Sequence, residues 1–402
     1  MGCFMKDDSS IFMRIRARLF DIAWFLLIAS QLISVCTWYA TEQSGIKVML
    51  YKGVTAASCL LCAAVIIMGL IKRLYPVKPI ILYVILCIIF ALSWYKSRIN
   101  ILIWLMLILI AAFGQESRRA VFIAAVTASA VLLFNILACE TGIIDNYIFD
   151  AGGERPRSSM GFVWTSVAPT ILFFIALEYI YLRKSSMKIW EYLMIEAVNV
   201  YLFLKTDTNL PFLFISAFLV FFAVEGFFKN HFGFLKHLKW LYYLSPLIIC
   251  GISIAATLLP DTSSELWIKL NTLLNNRPAL ARAGFDTFAL TPFGQQIEWH
   301  GGSITAGADE IYNYVDCSYI KVLFDYGIVF LAAILCIYTF LIVRAAREGD
   351  YWLLLACIVI LIHSLTEPRI VDITFNIFPV MAFMRLGGAP LKYTKGFIKD
   401  LS

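Results

Sequence analysis

Charged residues are scarce in this chain. Aspartate, glutamate, lysine and arginine together make up 15% of its 402 residues, whereas 61% are hydrophobic. The apolar residues form long runs, such as ILIWLMLILIAAF, that have no polar face. A soluble chain of this length would form two or three domains whose elements alternate apolar and polar faces. The scarcity of charge therefore excludes a soluble protein and predicts a polytopic membrane protein.

Metal-binding patterns are also missing. Most of the ten cysteines lie inside apolar runs, and the close pair Cys59 and Cys62 falls in a predicted span, so we interpret them as small hydrophobic residues. No DxD-type carboxylate pair occurs in a soluble segment. The net charge of +6 is spread between apolar runs and forms no continuous patch. The sequence thus predicts no metal, no cofactor and no nucleic-acid partner.

Apolar windows of about 17 to 24 residues predict twelve transmembrane helices in an all-α fold. They lie near residues 19–39, 48–71, 79–95, 99–115, 120–139, 161–182, 190–205, 209–227, 241–260, 319–342, 351–366 and 371–386. Most of the 33 lysines and arginines lie on one side of these spans, which places both termini in the cytoplasm. We therefore expect one transmembrane domain over residues 1–402.

One large external loop, over residues 260–319, interrupts this pattern near the C-terminal end. SSELWIKLNTLLNN has leucines and a tryptophan at helical spacing, with Ser264 as a candidate N-cap, which predicts a short amphipathic helix on the membrane surface. RPALARAGFDTFAL predicts a second helix with Pro278 in its first turn, closed by the turn TPFG. We expect both helices to lie on the external face.

GERPRSSMGF places Arg155 and Arg157 on the same face. Such arginines often extend toward lipid headgroups, which is one interpretation. The other is anion capture, because guanidinium groups bind phosphates bidentately and stay charged. Ser158 and its neighbour Ser159 precede a predicted span and add hydroxyl donors. The segment is a candidate diphosphate site.

Arg277 and Arg282 lie in the second loop helix. They could simply solvate that helix, but Arg277 stands at its start, where its charge opposes the positive end of the helix dipole. A bound phosphate would reverse this unfavourable term. We therefore include both arginines among the candidate diphosphate ligands.

Three ionisable residues are candidates for proton transfer. Asp316 precedes span ten and is either a cap or a base that takes a proton from a sugar hydroxyl. His363 and Glu367, four positions apart, would share a helix face and form a hydrogen-bonded pair, with either a structural or a catalytic role.

Further polar residues on this face complete the candidates. Arg369 follows in HSLTEPR, Asp207 caps span eight or lines the site, and His300 is more typical of a loop histidine.

Taken in order, these external segments resemble bacterial polysaccharide polymerases of the Wzy type, which are related to O-antigen ligases. RSSMGF resembles their R-x-S-x-G-F pattern, and TDTN resembles T-D-S-R, with Asn209 in place of arginine. NNRPALARAGFDTFALTPFG resembles the Arg-led loop helix that runs into P-x-F-G. VDCSYIKVLFDYGIVF resembles D-x-S-Y-x-x-x-L-x-x-Y-G-I, where ligases have a histidine at the place of Asp316.

The resemblance implies a GT-C-like fold and a metal-independent glycosyltransferase on the outer face of the bacterial plasma membrane. The enzyme would transfer a growing glycan from undecaprenyl diphosphate to a new lipid-linked repeat unit. Membrane lipid and a chain-length regulator are the partners that the family implies. Two alternatives remain: a ligase that uses the same donor, and a flippase for lipid-linked oligosaccharides. A membrane-bound acyltransferase fits less well, since His363 lies in no acyltransfer motif.

Overall fold

The computed structural model describes residues 2–41, 44–75, 77–149, 156–227, 238–302, 304 and 312–386. Helices dominate these ranges. They are α1 (Gly2–Ser34), α2 (Thr37–Ala40), α3 (Gly45–Ile71), α4 (Val77–Ser97), α5 (Ile101–Ala111), α6 (Ser117–Glu140), α7 (Val167–Arg183), α8 (Ile189–Thr206), α9 (Asn209–Phe227), α10 (Lys239–Leu258), α11 (Glu265–Leu273), α12 (Arg277–Thr287), α13 (Ser318–Asp325), α14 (Ile328–Arg347), α15 (Tyr351–His363) and α16 (Phe378–Met381). Between α6 and α7, β1 (Ile148–Phe149) pairs antiparallel with β2 (Arg157–Ser158).

Seven of the described helices are long and apolar enough to cross a bilayer. They are α1, α3, α4, α6, α9, α10 and α14. The apolar helices α5 and α15 are shorter, and α7 and α8 match the predicted spans near 161–182 and 190–205 without belonging to the seven. The prediction of a helical membrane protein is confirmed, whereas the number twelve is not.

The predicted last span, 371–386, is wrong. This segment consists of turns and the four-residue α16, because Asp372 starts a turn by accepting from the Thr374 amide and Pro379 has no N–H to donate. Non-helical backbone at membrane depth must find partners inside the protein. Tyr338 donates to the Ile370 carbonyl.

Two other side chains satisfy the same segment. Asn376 donates to the carbonyls of Arg369 and Ile370. Arg344 of α14 donates to the carbonyls of Ala382 and Met384. The segment is therefore a buried plug beside α14.

Predicted span ten, 319–342, is divided into α13 and α14. The break falls at Gly327, which has a φ of +89°, and a Cβ there would lie 2.4 Å from the Pro292 carbonyl oxygen. Glycine is required because the predicted TPFG turn crosses the chain at this point. The external loop is thus fastened to the top of α14.

Both predicted loop helices are confirmed as helices. α11 begins after Ser264, whose hydroxyl accepts from the Trp267 amide at 3.3 Å. α12 begins at Arg277 with Pro278 in its first turn. Local capping chemistry was sufficient to locate them.

Candidate functional site

The candidate site lies at the end of the helix bundle where α8, α10 and α15 end, which we call the loop end. The Cys317 sulfur lies 2.9 Å from Ser253 Oγ, and α10 continues past Ser253 to Leu258. Asp316, next to Cys317, is therefore recessed by about one helical turn, roughly 5 Å, below the end of α10.

Arg277 joins two carboxylates from distant parts of the chain. Its Nε donates to Asp316 Oδ2 over 2.8 Å, and its Nη2 donates to Glu367 Oε1 over 3.3 Å. The side chains of Arg277 and Asp316 are each 19% exposed, and that of Glu367 is 4% exposed. Of the two carboxylates, Asp316 is the one that a substrate can reach.

The charges of this cluster depend on each other. Burial lowers the pKa of Arg277, but Glu367 and Asp316 outweigh burial, so the pKa is raised overall and the cation persists. Burial raises the pKa of Glu367, and Asp316 raises it further against the opposing effect of Arg277. The cluster thus combines a permanent cation with a carboxyl group that favours its protonated form.

One donor of Arg277 remains available. Its Nη1 is buried and has no hydrogen-bond partner among the described residues, and such an atom calls for an explanation. The start of α12 offers no comparable donor. The Arg277 amide donates to the Leu274 carbonyl, and the Ala279 amide donates to Asn271 Oδ1. The two carboxylates, not a bound anion alone, compensate the cation at this helix start.

Arg157 reaches the same site from β2. Its Nη2 donates to Thr165 Oγ1 over 2.8 Å, and its Nε donates to the Thr206 carbonyl over 3.3 Å. Burial lowers the pKa of Arg157; Asp207 opposes this effect and Arg277 adds to it. The two arginines are therefore close enough to repel each other, and an anion between them would remove that repulsion.

Ser158 does not add a donor to the site. Its hydroxyl donates to Asn146 Oδ1 over 2.8 Å and accepts from the Met160 amide. The Ser159 hydroxyl accepts from the Tyr147 amide. Both serines hold the hairpin that presents Arg157, so the prediction of a hydroxyl cradle is wrong. Arg155 lies outside the described residues.

Arg282 also has another task than predicted. Its Nη1 donates to the carbonyls of Pro260 and Thr257, over 2.9 and 3.5 Å. These carbonyls lie at and beyond the end of α10, where helix carbonyls lack intrahelical partners. Arg282 therefore fastens α12 across the end of α10.

His363 is enclosed by aromatic rings. It stacks on Phe173 with a centroid distance of 3.9 Å and meets the edge of Phe214. Neither ring nitrogen has a hydrogen-bond partner in the described part of the chain. The predicted side-chain bond to Glu367 is wrong, because α15 ends at His363 and the following turn carries Glu367 off the helix face.

Arg369 and His300 lie around the cluster. Arg369 Nη1 donates to Asp372 Oδ2 over 2.8 Å, and its guanidinium lies 4.4 Å from the centroid of the Phe375 ring. The His300 amide donates to Asn313 Oδ1 over 2.7 Å. His300 therefore joins the two arms of the external loop through its backbone.

Sequence reasoning missed Ser318 as a separate contributor. Its hydroxyl donates to the Glu367 carbonyl and accepts from the Ile370 amide, and its own amide donates to the Ser364 carbonyl. Ser318 thus fixes Asp316 relative to Glu367. Its place in the D-x-S-Y pattern was the available signal.

A buried lysine lies under the external loop. Lys321 Nζ is 3.8 Å from the Trp299 ring centroid, 4.5 Å from that of Tyr314 and 3.3 Å from Asp325 Oδ2. Burial lowers the pKa of Lys321 to about 8. Trp299 Nε1 also donates to Asp325. This cage fixes the loop on α13, which precedes the membrane-crossing α14.

Fold and site together define a helical membrane protein with an arginine–carboxylate cluster recessed at one end. No protein-family model, curated protein or solved structure matches the chain. Arguments about its function therefore depend on the residues themselves.

Proposed function

We propose that this protein polymerises lipid-linked oligosaccharide repeat units at the outer face of the bacterial plasma membrane. The observation that supports this most is the Arg277 guanidinium, which two carboxylates hold in place while Nη1 has no hydrogen-bond partner among the described residues. Arg157 lies within electrostatic range. Two guanidinium groups suit a diphosphate, since each can donate to phosphate oxygens in a fork.

The donor is a glycan on undecaprenyl diphosphate, and the acceptor is a single lipid-linked repeat unit. The acceptor hydroxyl attacks the anomeric carbon, and the bond from that carbon to the diphosphate oxygen breaks. The electron pair leaves with the diphosphate. Arg157 and Arg277 stabilise the charge that develops there.

Asp316 takes the proton of the acceptor hydroxyl in this proposal. It is the more exposed of the two carboxylates on Arg277, and general bases must reach the proton that they remove. Glu367 is a positioning residue that orients Arg277. His363 has no part in proton transfer, because aromatic rings enclose it.

The test is glycan size in a deletion strain complemented by wild type, Arg277→Ala or Lys269→Ala at matched membrane levels. Lys269 is a suitable control because it pairs with Glu265 on the exposed face of the same loop, and such pairs contribute little. We expect a ladder with wild type and Lys269→Ala, and single repeats with Arg277→Ala.

Other outcomes identify the alternatives. Full-length polymer that stays on its carrier in the deletion strain would indicate a ligase. Repeat units that accumulate on the cytoplasmic side would indicate a flippase. A normal ladder with Arg277→Ala would contradict the diphosphate role.

A further inference from the structure

One face of α15 is open, although the rest of this helix is buried. Ile360 and Leu361 are fully buried, whereas the next residue, Ile362, is 39% exposed. Ile358 and Val359, one turn earlier, are partly exposed. An apolar stripe therefore faces away from the packed interior.

The stripe lies between α9 and α10. α9 packs on α7 and α8, while α10 packs on α14 and α15. No comparable packing joins α9 to α10 within the described ranges. Trp352 of α15 stacks on Phe222 of α9 at 5.5 Å, and Tyr351 interacts electrostatically with Tyr242 of α10. Both neighbours of α15 are thereby placed.

Helix geometry then places the stripe. With 3.6 residues per turn, Ile358 and Ile362 lie roughly 80° to 120° around α15 from Trp352, on the side of Tyr351, and Val359 lies between the two sides. We call the resulting channel, with α9 and α10 as walls and Ile358, Val359 and Ile362 as floor, the lateral furrow.

The outer end of the lateral furrow lies beneath the arginine cluster. Ile362 adjoins His363, on which Arg277 acts electrostatically. Arg282 fastens α12, the helix that begins with Arg277, to the Pro260 carbonyl just beyond α10. An apolar channel in the bilayer thus ends at a cationic group that lies under a fixed roof.

We propose that the lateral furrow holds the polyisoprenoid tail of the donor while Arg157 and Arg277 hold its diphosphate. This inference rests on the proposed function for the identity of the head group. Continuity and charge carry it: the tail stays in an apolar groove, and the anionic head meets two guanidinium groups.

Other apolar grooves do not meet this requirement. One groove lies between α1 and α6 beside Phe25 and Ala130, and another lies beside Tyr83 and Ile110. Neither includes a residue of the arginine–carboxylate cluster. Phospholipid is the less suitable occupant of the lateral furrow, because its single phosphate would engage one arginine and leave the other uncompensated.

Photolabelling tests the proposal with the full chain in nanodiscs. The probes are a polyprenyl diphosphate and a phosphatidylglycerol, each with a diazirine in its tail, and labelled peptides are mapped by mass spectrometry. We expect the polyprenyl probe to label α9, α10 and the 358–362 stretch of α15. Excess unlabelled polyprenyl diphosphate should reduce this labelling at least fivefold, and excess phosphatidylglycerol should not.

A filled furrow gives the second arm. Ile362→Trp should lower labelling by the polyprenyl probe at least fivefold. Leu133→Trp is the matched control, because Leu133 is 58% exposed on α6 and lies away from the furrow. Ile358→Phe serves in the same way if Ile362→Trp does not fold, as judged by its elution in gel filtration.

The outcomes separate this inference from the proposed function. Equal labelling of all lipid-facing helices, or a furrow that both probes label equally, overturns the inference even where glycan ladders depend on Arg277. Specific furrow labelling in a protein whose deletion leaves glycan length unchanged supports the furrow and overturns polymerisation.

Discussion

Arg277 donates to Glu367 over 3.3 Å although the two residues are 90 positions apart. The contact joins the external loop to the turn after α15, and Asp316 completes it from a third segment. A fixed guanidinium with one available donor is preorganised, because its other donors cannot rotate toward water.

Lysine should not replace this arginine. Arg277→Lys supplies a point charge that cannot hold two carboxylates and still present a directed donor. We expect single repeats, or at least a tenfold loss of polymer, on glycan gels. Arg282→Lys is the control, since an ammonium can still donate to the Pro260 carbonyl. Equal ladders from the two variants would contradict the argument.

Ser318→Ala should loosen the site. The Glu367 carbonyl and the Ile370 amide both lose a buried partner, which costs about 1–3 kcal/mol. Thermal unfolding in detergent measures this loss. Ser245→Ala is the control, because its hydroxyl only donates to a carbonyl one turn earlier in α10. A loss no larger than that of the control would exclude a positioning role for Ser318.

Lys321 gives a pH dependence of known sign. Its pKa is lowered from 10.5 to about 8, so the unfolded chain binds more protons between these values and stability rises as pH increases from about 8 toward 10.5. The gain is about 3 kcal/mol at most, and the rings of Trp299 and Tyr314 reduce it by favouring the cation.

Lys321→Met should abolish this slope in unfolding measurements across that range. Lys269→Met, at a position whose side chain is 73% exposed, should retain it. A rising slope in Lys321→Met would assign the effect to another group.

His363→Phe should leave chain growth intact. The imidazole makes no hydrogen bond with described residues, and an apolar ring of similar shape can replace such a group almost without cost, within about 1 kcal/mol. The measurement is the glycan ladder at matched membrane levels. Single repeats from a folded His363→Phe protein would restore the catalytic role that sequence spacing suggested.

Local chemistry made part of the fold predictable. Ser264 and Pro278 located both loop helices because caps and first-turn prolines act through neighbouring residues. The segment 371–386 was not predictable from its apolar composition, since a buried coil and a span are equally hydrophobic. Only Tyr338 and Asn376, placed by tertiary packing, allow the coil to be stable there.

The site was predictable in its members more than in its connections. The membership of Arg277, Asp316 and Glu367 came from external position and resemblance. Their pairing depends on three segments that meet only in the folded chain. The His363 prediction failed because it assumed that α15 continues one turn further than it does.

The plug beside α14 sets an order of biosynthesis. A translocon can release a hydrophobic helix that satisfies its own backbone, but the carbonyls of Ile370, Ala382 and Met384 have no such partner until Tyr338 and Arg344 are in position. The C-terminal stretch must therefore dock after α14 and α15 have assembled. Because Glu367 and Arg369 precede this stretch, the arginine–carboxylate cluster is completed at the last stage of maturation, and chains still under synthesis are inactive.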